Sequence, residues 1–273
     1  MISDTAKHTF QEIVWEYYRS KGRHDMPWRQ PDSADNFDQY KIMVSEIMLQ
    51  QTQVARAILK YEEFLEAFPT ISDLAKAEQG DVLRVWSGLG YNRRAKYLYT
   101  AAQMVVNDLE GIFPDTTEEL IKLPGIGQNT AGAILAYAYN KPISFIETNI
   151  RTAYIHHFFD DLEDVHDKDI LKFVTETVDH ENPREWYWAL MDYGSSLKQA
   201  GSSRNHQSKH YAKRSKFVGS KRQIRGQVLR SLSDRNLTVD ELEKGIADHR
   251  VQGVINDLIQ EGLVQKQGDR LSL

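Results

Sequence analysis

Cysteine is missing altogether from this 273-residue chain. That excludes disulfides, thiolate zinc sites and any cysteine-ligated iron–sulfur cluster. There is no apolar run of 18 residues and no signal-peptide pattern over residues 1–11, so neither a membrane span nor export is expected. Convincing alternating strands are absent before residue 260. A basic excess is lacking as well: the net charge is −5, which at first argues against a polyanionic partner. What is present is ordinary for a soluble globular protein, with 41% hydrophobic and 27% charged residues. The length suits one to two domains with a real core.

The charge is unevenly placed. Residues 198–230 hold ten basic side chains, including Lys213, Arg214 and Lys216, and no acid, which is +10; the remainder has 24 basic against 39 acidic residues, or −15. A block this one-sided is a candidate phosphate-contacting surface, its alternative being a solvated linker. His156, His157, His206 and His210 are joined by no thiol or tight carboxylate cluster, so no metal site is expected.

Helical periodicity runs through the body: 9–19, two helices in 40–65, then 71–77, 79–87, 93–108, 128–139, 149–159, 168–178 and 185–196. The expected class is therefore all-α, in two helical lobes. Gly201-Ser-Ser and Gly219-Ser220 break the pattern, predicting a domain over 1–200, a basic linker over 201–220 and a small domain over 221–273. In that last part, helices over 222–232, after the Thr238/Glu241 capping box and over 250–260 precede a short hairpin over 263–273. Three helices and a terminal hairpin resemble a winged helix, a fold used both for DNA and for protein contacts.

The run Ser45-Glu-Ile-Met-Leu-Gln-Gln-Thr-Gln-Val54 sets one acid among apolar residues. Glu46 shares a helical face with Leu49 and Gln50, so its carboxyl is expected among apolar side chains. A carboxyl desolvated in this way can hold a proton near neutrality, as a general acid must. The other reading is a solvated Glu on a surface helix.

Pro27-Trp28-Arg29, this run, Gly88-Leu-Gly-Tyr91 and Leu123-Pro-Gly-Ile-Gly127 occur in that order. Together they resemble the helix-hairpin-helix (HhH-GPD) DNA glycosylases over roughly residues 8 to 200, most closely the branch that removes adenine opposite normal or oxidised guanine. The resemblance implies an enzyme of base excision repair that flips a mispaired base out of double-stranded DNA. It further implies a monomer without membrane contact, prokaryotic, cytoplasmic and nucleoid-associated.

On that resemblance Glu46 stands at the catalytic glutamate and protonates the leaving base. Asn149 matches an asparagine beside the catalytic anion, and Glu147 stands where the family has aspartate. A glutamate reaches farther by about 1.5 Å, and a misplacement of about 1 Å can cost around 100-fold in rate. Glu147 is expected across a cleft from Glu46 with Asn149 orienting it; as an alternative it caps the helix near Asn149. Gly125 and Gly127 would let a phosphate approach the backbone at a helix start. Asn129 stands where bifunctional relatives carry a lysine, so cleavage through an imine is not expected.

Gln51, with Gln50 and Thr52, matches a strand-contacting or intercalating amide. Beside Tyr91, Asn92 replaces a tyrosine that wedges beside the damaged guanine. The family's C-terminal damage-reading domain is replaced by the winged-helix-like tail, so recognition of the opposite base is open. No cofactor is expected, although the hairpin turn of this family can seat a cation. Two other functions stay in play: a thymine or uracil glycosylase acting on G mismatches, and a DNA-binding module with impaired catalysis.

Overall fold

The computed structural model describes residues 2–32, 36–159, 162–211 and 216–273. The body runs α1 (Asp4–Lys21), α2 (Gln39–Leu49), α3 (Val54–Ala67), α4 (Ile71–Lys76), α5 (Gln79–Val85), α6 (Arg93–Asn107), α7 (Thr117–Leu120), α8 (Gln128–Tyr139), α9 (Thr148–Phe158), α10 (Asp167–Thr177) and α11 (Pro183–Gln199). The tail follows as α12 (Lys221–Asp234), β1 (Leu237–Thr238), α13 (Val239–Ile246), α14 (Val251–Gln260), β2 (Gln265–Gln267) and β3 (Arg270–Ser272). The helices answer to the periodicity, and the differences are local. α1 starts at Asp4 rather than Thr9, because Ser3 accepts a hydrogen bond from the Ala6 N–H and caps a polar first turn that carries no apolar repeat.

The chain divides into two compact units, one of Met1–Met43, Pro114–Lys122 and Ile126–Lys213, the other of Val44–Phe113, Leu123–Gly125 and Arg214–Leu273. The first unit is built on aromatic packing. Phe10 of α1 sits 5.0 Å from Tyr154 of α9 and 6.0 Å from Trp186 of α11, centroid to centroid. All three side chains are buried, and each contributes about 1.5–3 kcal/mol through apolar burial. An ionic cluster lies within it: Arg29 donates to both Asp192 oxygens at 2.8 and 2.9 Å, and the partly exposed Arg23 pairs with the same buried carboxylate. Burial alone would raise the Asp192 pKa; the two arginines hold it below the usual range.

In the second unit, α3 to α6 enclose Phe64, Leu74, Trp86 and Leu98. The tail has its own core of Ile224, Val228, Leu242, Val254, Leu258 and Leu271. Thr238 and Glu241 form the expected capping box. The strands make an antiparallel sheet in the order β1-β3-β2, so a two-residue strand at 237–238 joins the expected hairpin. Two residues are too few for a period-2 pattern to show. Around Glu261 the tail is fastened to α6: its carboxylate takes Arg93 at 2.8 Å and Arg225 at 2.9 Å, and its carbonyl takes Lys96 Nζ at 2.6 Å. Within the 201–220 stretch read as a basic linker, Asn205–Gln207 form a short 3-10 turn, and Thr152 Oγ1 donates to Asn205 Oδ1 at 3.1 Å.

Candidate active site and nucleic-acid interface

In the second unit Glu46 lies near the C-terminal end of α2, flanked by Val44, Ile47 and Met48, each buried. Its relative exposure is 8%, which decides between the buried and the solvated reading in favour of the buried one. α2 stops at Leu49, and Gln51 follows, exposed and in the left-handed region at φ 60°. Gln50 and Thr52 are half-buried beside it. A non-glycine residue held there is uncommon and strained, as at sites that present a side chain.

The turn is held by Arg94, a residue the sequence did not single out. Its Nη1 donates to the carbonyls of Ile47, Met48 and Gln50 at 2.8, 2.8 and 2.7 Å. Its Nη2 donates to the Gly90 carbonyl at 3.0 Å and Thr52 Oγ1 at 3.2 Å. One guanidinium thus ties the turn after Glu46 to the 88–91 turn. Burial lowers its pKa to about 10, partly opposed by Tyr91, and no carboxylate pairs with it among the described residues. Tyr91, 39% exposed and at φ 48°, carries Arg94 over its ring at 5.6 Å and Arg222 at 5.8 Å. Asn92 is the N-cap of α6 without a side-chain cap bond. The clue in the sequence was the Arg93-Arg94 pair directly behind a glycine turn.

In the first unit Glu147 occupies the N-cap position of α9, and its side chain makes no capping hydrogen bond. Burial pushes its carboxyl above the usual range, opposed by the charge of Arg151 one turn on. Arg151 is itself bidentate on Asp167, at 2.7 and 2.6 Å. Asn149 Oδ1 accepts from Lys198 Nζ at 2.9 Å, not from a group on Glu147. The start of α9 is pressed against α11: a Cβ on Gly194 would lie 2.0 Å from the Asn149 carbonyl oxygen. Arg151 and Gly194 were not legible as site residues, and Lys198 was read only as the first residue of the basic block, since these pairings come from across the fold. Glu46 and Glu147 belong to different units.

The hairpin supplies Gly125 at φ +81°, where a Cβ would also come within 2.9 Å of Tyr97 Cβ, so glycine is required. Gly127, N-cap of α8, is exposed and would have nothing within 4 Å of a Cβ. Asn129 Oδ1 accepts from the Ile146 N–H at 3.3 Å, fastening α8 to the segment that leads into Glu147. In the basic segment, Lys213 and Arg214 lie outside the described residues, and Lys216 is exposed. Lys221 pairs with Asp257, and Arg225 with Glu261, so part of the predicted phosphate-binding block ties α12 to α14 and its C-terminal end within the tail.

The profile of the HhH-GPD superfamily base excision DNA repair proteins matches residues 44–177. An adenine DNA glycosylase of Mycolicibacterium smegmatis is 30% identical over 269 residues, covering 90% of each chain. The chain belongs to the HhH-GPD superfamily. An adenine DNA glycosylase of Buchnera aphidicola subsp. Acyrthosiphon pisum is 36% identical over 195 residues, covering 70% of this chain and 54% of that one. The chain thus spans about half the length of such relatives. A thermostable thymine-DNA glycosylase shares the fold at a TM-score of 0.62 and 24% identity, over 71% of this chain and 88% of that one. The all-α, two-lobed class of the superfamily agrees with the helices found here. A cysteine-ligated cluster does not fit, because the chain has no thiolate donor, and no three His, Asp or Glu gather as a metal site among the described residues. No helix among them is long and apolar enough to cross a membrane.

Proposed function

We propose that the chain is a monofunctional DNA glycosylase that excises adenine opposite guanine or oxidised guanine in double-stranded DNA. The observation that carries this reading is Glu46: an acid buried in a helix end at the position that matches the family's catalytic glutamate. Glu46 protonates a ring nitrogen of the everted adenine while the bond from C1′ to the base breaks. Glu147 is the anion that offsets the charge developing on the sugar. Water adds to C1′, and its proton returns to Glu46, leaving free adenine and an abasic site. Asn129 offers no amine, so the strand stays intact. Gln51 and Tyr91, both held at positive φ, are the residues that enter or contact the duplex. Gly125 and Gly127 approach a phosphate. The protein acts as a monomer in the cytoplasm.

A panel of duplexes carrying A opposite G, A opposite 8-oxoguanine, T opposite G and U opposite G tests the reading. Free adenine from the first two, with alkali needed to break the strand, is expected. Release of thymine or uracil alone would transfer the chain to the other glycosylase branch, and no release from any duplex would make it a binding module.

A further inference from the structure

The second unit contains an open groove of about 920 Å³ between the 50–56 and 87–94 segments on one wall and α12 of the tail on the other. Its charge is one-sided. Arg56, Arg93, Arg94, Arg222, Arg225 and Arg230 line it against a single acid, Glu261, in a chain whose net charge is −5. Arg94 is engaged by backbone carbonyls, and Arg93 and Arg225 share Glu261. Arg56 and Arg230 are exposed, and their side chains have no hydrogen bond or ion pair among the described residues. Fastening the tail needs neither of them.

Two aromatic rings stand in the same groove, Tyr91 at 39% and Phe217 at 58% exposure. Arg222 joins the walls by donating to the Tyr91 hydroxyl at 2.6 Å. On the α12 wall, a Cβ on Gly226 would meet nothing within 4 Å, so the middle of that wall is open. Guanidinium groups for phosphates beside exposed rings for a base face are the two components of a strand-binding groove. An acidic peptide would match the charge but leave the rings unused.

We infer that this groove holds one strand of the DNA, with Arg56 and Arg230 on successive phosphates and an unstacked base against Tyr91 or Phe217. The winged-helix-like tail is then a DNA-contacting wall of the enzyme. The inference rests on the proposed glycosylase reading for its ligand, but its test reads binding, not excision.

The full-length Glu46→Gln protein binds a fluorescent duplex carrying A opposite 8-oxoguanine, and its affinity is followed by anisotropy across a salt series. Adding Arg56→Gln and Arg230→Gln together should reduce the slope of log affinity against log salt by about 1.8, since each phosphate contact contributes about 0.9. A separate Gly226→Glu change suits a helix interior, where glycine is the poorer residue. It puts an anion into the groove and should weaken binding at least tenfold, with the thermal midpoint unchanged or raised. An unchanged slope, or Gly226→Glu binding within twofold of the parent, overturns the groove and leaves it to an acidic partner. Wild-type excision of the same duplex is read separately. Excision with an unchanged slope sinks the groove alone, and a changed slope without excision sinks the activity alone.

Discussion

Each unit buries a guanidinium, and the two are satisfied in opposite ways. In the first, Arg29 is paired with the buried carboxylate of Asp192, which also takes the partly exposed Arg23, so its charge is met by an anion. In the second, Arg94 is met by carbonyl oxygens and a hydroxyl, with no carboxylate, so its positive charge is conserved beneath the turn that carries Gln51. Buried ion pairs of the first kind are costly to break yet contribute little beyond structure. A cation held by carbonyls organises backbone and still attracts an anion. On the proposed reading, the difference separates a brace from a part of the DNA-binding surface.

Removing each group breaks that comparison in a different way. Asp192→Asn leaves two arginines without their carboxylate, and a loss of about 3–5 kcal/mol in urea unfolding is expected. Protein that remains folded should bind duplex DNA as the parent does. Arg94→Leu strands several buried carbonyls, at about 1–3 kcal/mol each, and should weaken DNA binding as well. Equal DNA affinity in the two variants would make Arg94 a brace like Asp192.

The acids extend the contrast. Glu46 sits inside a helix end, while Glu147 begins a helix with its carboxyl raised by burial and only partly offset by Arg151. A carboxyl whose folded pKa is raised contributes stability below its ordinary value near 4.5 and loses it as pH rises through the folded value. Glu147→Gln should therefore raise the thermal midpoint at pH 7, by about 2–4 °C for each kcal/mol relieved. The gain should vanish below about pH 4.5. Excision should fall by about 100- to 1000-fold, the scale of losing a preorganised electrostatic group. A variant no more stable at pH 7 and equally active would remove both the strain and the role.

Much of this was legible from residue order. The helices followed from apolar spacing and the α13 start from Thr238 and Glu241, while Glu46 was open between a buried and a solvated carboxyl, and the fold buries it. What escaped the sequence depends on partners far along the chain. Arg94 reads as one basic residue in a helix until six carbonyl and hydroxyl acceptors converge on it. Lys198 reads as surface charge until it meets Asn149, 49 residues away. The tail reads as a small domain over 221–273, and its tie to α6, where Glu261 meets Arg93 and Lys96, needs partners 168 and 165 residues apart. Glu147 was open between anion and cap; its side chain makes no cap bond, which leaves the anion reading to be tested.

The measurement that bears most directly on the account is single-turnover release of adenine from a duplex with A opposite 8-oxoguanine, comparing the wild-type chain with Glu46→Gln. Excision by the wild type and loss of at least 100-fold in the variant are expected, within the range of general acid catalysis of about 100- to 10,000-fold, while duplex affinity persists. Near-wild-type excision by Glu46→Gln would contradict general acid catalysis by Glu46.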